Sequence, residues 1–157
     1  MSSFKVRVAI ESDYMLLADF NIWMAKETED KDLNPDVVRE GVRNCIINPA
    51  YGRYCCGENE EGRVVGGLLI TFEMSPRLGG MIYWIQSAYV LPEYRGKGVF
   101  RALYDFVVAS SKSDPVAKCV RLYVDAENTK AQAVYSKLGM AKLEGIAFEE
   151  HDFHFTH

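Results

Sequence analysis

A basic, glycine-bearing turn stands out in this chain of 157 residues, whose formal net charge is −4. The stretch Ala88–Leu103 reads A-Y-V-L-P-E-Y-R-G-K-G-V-F-R-A-L. It begins β-branched and aromatic at Ala88, Tyr89 and Val90, breaks at Pro92, and turns through Glu93 and Tyr94. Arg95, Gly96, Lys97 and Gly98 follow, and an apolar helical pattern opens at Val99, Phe100 and Arg101. A strand, a glycine turn and a helix start, in that order, make a site for a polyphosphate. Glycine lets backbone N–H groups approach a ligand, and the first turn of a helix offers unpaired donors at the positive end of its dipole. Arg95, Lys97 and Arg101 add charge to the same place. Spacing excludes two nucleotide motifs. A P-loop needs G-x-x-x-x-G-K-[ST] and a dinucleotide fingerprint needs G-x-G-x-x-G, whereas residues 96–101 read G-K-G-V-F-R.

A second constellation, V-D-A-E-N-T-K-A-Q-A-V-Y-S-K-L-G-M, occupies residues 124–140. Asn128 falls where a strand gives way to a helix. Tyr135 comes about two helical turns later, on nearly the same side. A helix cap and a core-edge aromatic are the alternative roles for these two residues.

The elements that must position both stretches follow from periodicity. Lys5 to Ile10 alternates as a first strand, and Ser12 or Asp13 caps a helix carrying Leu16, Leu17, Phe20, Trp23 and Met24 on one face. After Lys26 the pattern dissolves into an expected charged loop. Asn34 caps a second helix with Pro35 at its first position, and Val38, Val42, Cys45 and Ile46 form its stripe. Strands are expected over Tyr51–Cys56, Arg63–Glu73 and Met81–Leu91, the last apolar on both faces and therefore central. A helix from Val99 to Ser111, a strand from Lys118 to Asp125 and a helix from Thr129 to Leu138 follow. Gly139 suits a left-handed cap after that helix. Residues 146–155 are expected to hold a last strand, with part of another possible from Lys142. The order β-α-α-β-β-β-α-β-α-β describes one α/β domain (an α+β mixed sheet) over residues 1–157.

Composition narrows the class further. Apolar residues at 48% and charged residues at 25% are ordinary for a globular protein, and the acidic balance argues against nucleic acid as a partner. Cys45, Cys55, Cys56 and Cys119 form no C-x-x-C pair, so reduced thiols are expected. The opening M-S-S-F-K-V-R-V lacks the apolar core of a signal peptide, and the apolar run from Val64 to Phe72 is too short to span a bilayer. The expectation is a cytoplasmic chain with no membrane partner. His151, His154 and His157 lie on a strand-like tail rather than a helix face, so no metal is expected.

The two constellations together resemble the GNAT superfamily of acyl-CoA-dependent N-acyltransferases. Val90, Pro92, Tyr94, Arg95, Gly98 and Leu103 match its acyl-CoA motif, V-x-P-x-Y-[RQ]-x-x-G-x-[GA]-x-x-L. Asn128, Ala131, Val134, Tyr135, Gly139 and Met140 match its N-x-x-A-x-x-[LV]-Y-x-x-x-G-[FM] segment. The opening V-R-V-A-I-E-S-D-Y-M-L-L resembles its first strand and helix, so the likeness covers nearly the whole chain. Phe100 departs from the Gly or Ala usual in the family. The reading adopted is a ring turned into the core while the Phe100 backbone N–H still serves.

The resemblance implies a single GNAT-like domain that transfers acetyl from acetyl-CoA directly to a primary amine in a ternary complex. No metal is implied. Ala88, Tyr89 and Val90 would pair with the pantetheine arm as another strand. Arg95, Gly96, Lys97, Gly98, Val99, Phe100 and Arg101 would hold the pyrophosphate, and Asn128 would contact the cofactor. Tyr135 would protonate the departing thiolate, its ordinary pKa of about 10 keeping it an acid at neutral pH. A lysine-like amine is neutral in only about one molecule in 2,500 at pH 7, so a base matters. Some members of the family place a Glu on the central strand, but Gln86 and Ser87 stand there. Glu73, Glu27 and Glu29 are the carboxylate candidates, and a water chain to bulk is the alternative. Lys26 to Leu33, with Glu29, would border an acceptor pocket lined by Trp84, Tyr83, Tyr89 and Gln86. The acceptor would be a small-molecule or peptide amine, and an exposed edge strand is compatible with a homodimer. A non-catalytic acyl-CoA sensor on the same fold is the alternative function.

Overall fold

Alternating strands with a Pro-started helix between them give the chain its layers. A computed structural model describes residues 3–150. The described residues fall into two compact units that divide between Tyr123 and Val124. The first unit holds five strands, β1 (Lys5–Val8), β2 (Arg53–Glu58), β3 (Val64–Ser75), β4 (Gly80–Val90) and β5 (Ala117–Leu122), with helices α1 (Tyr14–Glu29), α2 (Pro35–Ile47) and α3 (Val99–Ser113). The second holds α4 (Thr129–Lys137).

The sheet runs in sequence order, antiparallel from β1 to β4 and parallel between β4 and β5. β4 is therefore interior, as its apolar faces require, although β3 is the middle strand. Residues opposite each other on paired strands share a face. An added Cβ at Gly67 would meet Leu17 of α1, and Tyr54 Oη lies 3.5 Å from Asn21 Nδ2. One face thus packs on α1 and α2. The other packs on α3: a Cβ at Gly57 or Gly66 would meet Val99 Cγ1. Phe20, Leu17, Leu68, Ile70, Leu103 and Val107 fill the resulting two-sided core.

Three local interactions fix how the elements enter and leave. Asn34 Oδ1 accepts from the N–H groups of Asp36 and Val37, the expected cap before Pro35. Asp13 precedes α1 but gives it no side-chain cap bond, contrary to the expected capping role; it accepts instead from the Ile10 N–H at 2.8 Å and takes a forked pair of bonds from Arg7 at 2.7 and 3.0 Å. The same guanidinium bonds Glu58 at 2.6 Å, tying β1, β2 and the start of α1 together. Gly139, at φ 91°, supplies the left-handed residue after α4.

Two expectations need correction. The charged stretch after Lys26 is not yet loop, because α1 continues to Glu29 and ends at Asp30 in the left-handed region. Lys26 Nζ reaches Asp30 at 2.9 Å, and Thr28 Oγ1 donates to the Met24 carbonyl, so this polar turn is held as helix. The last strand is also absent where it can be followed. Residues 141–150 carry no regular structure, and the rest of the expected strand, with the three histidines, lies outside the described residues. Ile146 and Phe148 are 84% and 92% exposed, so their alternation has no surface to bury against.

The glycines of β3 can be tested against a helical one. Gly66→Ala would set a Cβ 2.8 Å from Val99 Cγ1 and 3.1 Å from the Tyr89 carbonyl oxygen. A loss of about 1–3 kcal/mol in denaturant-derived stability is expected, the usual range for overpacking. Gly41→Ala, in open space inside α2, is expected to stabilise by about 0.5–1 kcal/mol.

Candidate active site

A bulge in β4 sets the site. Leu69 pairs with Gln86 and Gly67 with Tyr89, so Ser87 and Ala88 together oppose Leu68. Ser87 adopts φ 51°, the left-handed turn that absorbs the extra residue. As a result Gln86 and Tyr89 look out on the same face, the one covered further along by α1. β5 follows β4 only from Met81 to Ile85. Beyond that point, among the described strands, the edge of β4 from Gln86 to Val90 has no ladder partner. A half-paired strand edge offers backbone donors and acceptors to an extended ligand.

The edge runs directly into the glycine turn. After the short 3₁₀ turn Pro92–Tyr94, Gly96 and Gly98 take φ values of 73° and 94°. Both lie in the left-handed region, which is the physical reason for glycine there. Among the described residues, the N–H groups of Gly96, Lys97, Gly98 and Val99 meet no acceptor within the chain. Successive inward N–H groups at a helix start form an anion cradle.

The surrounding side chains divide into those committed and those not. Arg95 donates through Nε to the Val90 carbonyl at 2.9 Å and through NH2 to Glu27 Oε2 at 2.7 Å, with its guanidinium carbon 5.2 Å from the Tyr89 ring centroid. Tyr89 Oη donates to the other Glu27 oxygen at 2.7 Å. The Arg95 and Tyr89 bonds hold the Glu27 carboxyl below its ordinary pKa, outweighing partial burial. Burial, with the Glu27 carboxylate beside it, pushes the Tyr89 phenol up to about 12. Glu27 is therefore a structural anion, and its expected part as a base is not supported by this geometry. Arg101 is bound to Asp105 at 3.0 and 3.1 Å along α3. Phe100 is half-buried beside Tyr104, ring centroids 6.4 Å apart, and does not enter the core as expected. Val99 takes the core position instead, 1% exposed.

On the α1 face of the sheet, an open depression of about 360 Å³ is lined by Thr71, Phe72, Glu73, Trp84, Gln86 and Tyr123. Trp84 stacks on Tyr123 with centroids 4.5 Å apart, and Gln86 Nε2 donates to Thr71 Oγ1 at 2.5 Å. Glu73 is exposed at this rim. Tyr83 and Tyr89 are core residues, and Glu29 pairs loosely with Lys31 at 3.8 Å. In the second unit, Asn128 Oδ1 accepts from the Ala131 N–H at 3.1 Å and caps α4. Tyr135 is half-buried in that helix, and burial raises its pKa.

The acetyltransferase (GNAT) family model matches residues 16–140. The chain belongs to that family. A possible acetyltransferase from Clostridium difficile 630 is 34% identical, with a TM-score of 0.89 over 96% of this chain and 99% of that one. A predicted acetyltransferase from Clostridium acetobutylicum, solved with acetyl-CoA, is 18% identical, with a TM-score of 0.75 over 94% and 96%. Glucosamine-6-phosphate N-acetyltransferase from Arabidopsis thaliana is 20% identical, with a TM-score of 0.70 over 96% and 99%. The last two share the fold at that level of identity. No curated protein sequence matches significantly. Among the described residues of this GNAT chain, no helix is long and apolar enough to cross a membrane.

Sequence reasoning missed Thr71 and Tyr123 in the depression. Tyr123 follows β5 directly, and its alternation with Arg121 and Cys119 was the available signal. The Glu27 network predicts a pH signature. Its folded pKa is lowered, so its stabilisation is complete above the unfolded carboxyl range and is lost as pH falls through the folded value. Glu27→Gln should lower stability at pH 7 by about 0.5–1 kcal/mol, the range for partly exposed pairs. Denaturant melts should show the gap to wild type begin closing below about pH 4.5. A gap independent of pH would refute the charge-based account.

Proposed function

We propose that this GNAT chain transfers an acetyl group from acetyl-CoA to a primary amine by direct attack within a ternary complex. The observation that carries the reading is the continuity of an unpaired β4 edge with four unsatisfied N–H groups at a glycine turn. An extended amide-bearing arm ending in a diphosphate matches that pairing of surfaces. Acetyl-CoA has both and supplies a thioester to the amine.

The chain's own residues would act as follows. The Ala88, Tyr89 and Val90 backbone aligns the arm, and the Gly96–Val99 N–H groups, with Phe100 and Arg101 in the first turn of α3, face the diphosphate. Arg95 works by bracing: its bonds to Val90 and Glu27 hold the turn against the strand. Asn128 keeps its side-chain NH2 for the cofactor while its oxygen caps α4. Tyr135, kept protonated by burial, donates its proton to the departing sulfur. Glu73 replaces Glu27 as the carboxylate that relays the amine proton. It stands at the rim of a depression whose Trp84 and Gln86 orient the acceptor.

Steady-state thiol release across an amine panel tests these roles. Tyr135→Phe is expected to reduce kcat by about 10²-fold or more with little change in KM for acetyl-CoA, the scale of one general acid. Glu73→Gln should lower turnover at pH 7 by about 10-fold or more. Unchanged turnover in Tyr135→Phe removes that residue from its role. CoA binding without turnover on any amine would favour a sensor over an enzyme.

A further inference from the structure

Four cations surround the glycine turn, and their partners rank them. Arg95 is bound to Glu27 at 2.7 Å and Arg101 to Asp105 at 3.0 Å, so each charge is largely met by a carboxylate. Lys97 has no carboxylate within ion-pair distance among the described residues. A fourth cation, Arg63, comes from the β2–β3 turn, and its contact with Glu93 is longer, at 3.6 Å.

The turn that carries Arg63 is built to sit there. Asn59 Oδ1 accepts from the N–H groups of Glu61 and Arg63 at 3.0 and 2.9 Å, and the Asn59 N–H donates to the Arg63 carbonyl at 2.9 Å. Asn59 Nδ2 then donates to Tyr94 Oη at 3.1 Å, fastening the turn to the segment that enters the glycine cradle. The Tyr94 ring lies 5.5 Å from Lys97 Nζ and 5.9 Å from the Arg63 guanidinium carbon. One phenol thus holds two cations with charge to spare beside the diphosphate donors. Cation–π contacts steer a cation without neutralising it.

Resting on the reading of the turn as a CoA diphosphate site, we propose that Arg63 and Lys97 bind the 3′-phosphate of CoA. The chemistry they recognise is a phosphate monoester dianion, which the diphosphate cradle does not serve. An arginine fork and a lysine point charge are the side chains suited to it. Arg63 is thereby a specificity residue that selects CoA over its 3′-dephospho form.

The test is calorimetric titration of the full chain with CoA and with 3′-dephospho-CoA, for wild type, Arg63→Gln, Lys97→Gln and the double variant. Wild type should bind CoA about 10-fold or more tightly than dephospho-CoA, the scale of charge-assisted bonds to an anion. Each single variant should weaken CoA by about 3–10-fold, and the double should bring the two ligands within about 2-fold, with dephospho-CoA affinity nearly constant in Arg63→Gln, whose side chain lies outside the diphosphate cradle. Added salt should shrink the wild-type preference. Adenosine 3′,5′-bisphosphate as competitor distinguishes the 3′-phosphate from a free phosphate: it should compete in wild type and lose that ability in the double variant, while inorganic phosphate should not compete. A preference for CoA that survives in the double variant, or parallel loss of both ligands in Arg63→Gln, overturns the assignment. Failure of wild type to bind either ligand would instead overturn the CoA reading beneath it. Both side chains are more than half exposed or at the loop surface, and circular dichroism of each variant checks that the fold is kept.

Discussion

The site depends on β4 being paired on two edges for half its length and on one for the rest. A sheet strand ordinarily satisfies its backbone groups on both sides. Here β5 ends its pairing at Ile85 with Leu122, while β3 continues to Val90 with Gly66. The strand is consequently rigid, held by β3 and by packing on both faces, yet open along one edge. Rigidity and openness in one element are what an extended ligand needs. A loop with the same free groups would lose conformational entropy on binding that this strand has already lost on folding.

The bulge at Ser87–Ala88 is the second part of the same constraint. Without it, Gln86 and Tyr89 would fall on opposite faces, since they stand three positions apart along an alternating strand. With it, Gln86 lines the open depression and Tyr89 packs on Phe20 and Trp23 of α1 while bonding Glu27. Tyr89 then delivers Glu27 to Arg95, and Arg95 returns to the Val90 carbonyl. The chain of contacts closes on the strand it started from. A buried aromatic, a carboxylate and a guanidinium fix the angle at which β4 hands over to the glycine turn.

Much of this was legible before the coordinates. The Asn34–Pro35 start of α2, the strand–turn–helix at 88–103 and the interior place of β4 follow from local signals: a cap, two glycines and an apolar run. What was not legible depends on register. No residue type announces the bulge, because Ser87 is not the glycine or asparagine that a left-handed position usually selects. The engagement of Glu27 was hidden for a similar reason, since a carboxylate in an acidic stretch looks solvated until Tyr89 and Arg95 meet it from elsewhere in the chain. Phe100 was misread because adjacent apolar residues at a helix start compete for one core position, and Val99 took it.

The division of labour among the cations bears on how an acidic protein could hold the highly charged cofactor proposed for it. Were Arg95 and Arg101 both free, the turn would repel itself when empty, and the left-handed glycines would have to resist that strain. Pairing them with Glu27 and Asp105 removes the repulsion and leaves orientation to backbone N–H groups, whose dipoles are fixed by the fold and carry no net charge. Attraction at longer range then rests on Lys97, which has no carboxylate partner among the described residues, and on Arg63, whose contact with Glu93 is the longer at 3.6 Å, both standing beside Tyr94 rather than inside the cradle. Geometry and charge are thus supplied by different atoms. Loss of a surface charge should alter how strongly an anionic ligand is drawn in while leaving intact the backbone that would orient it.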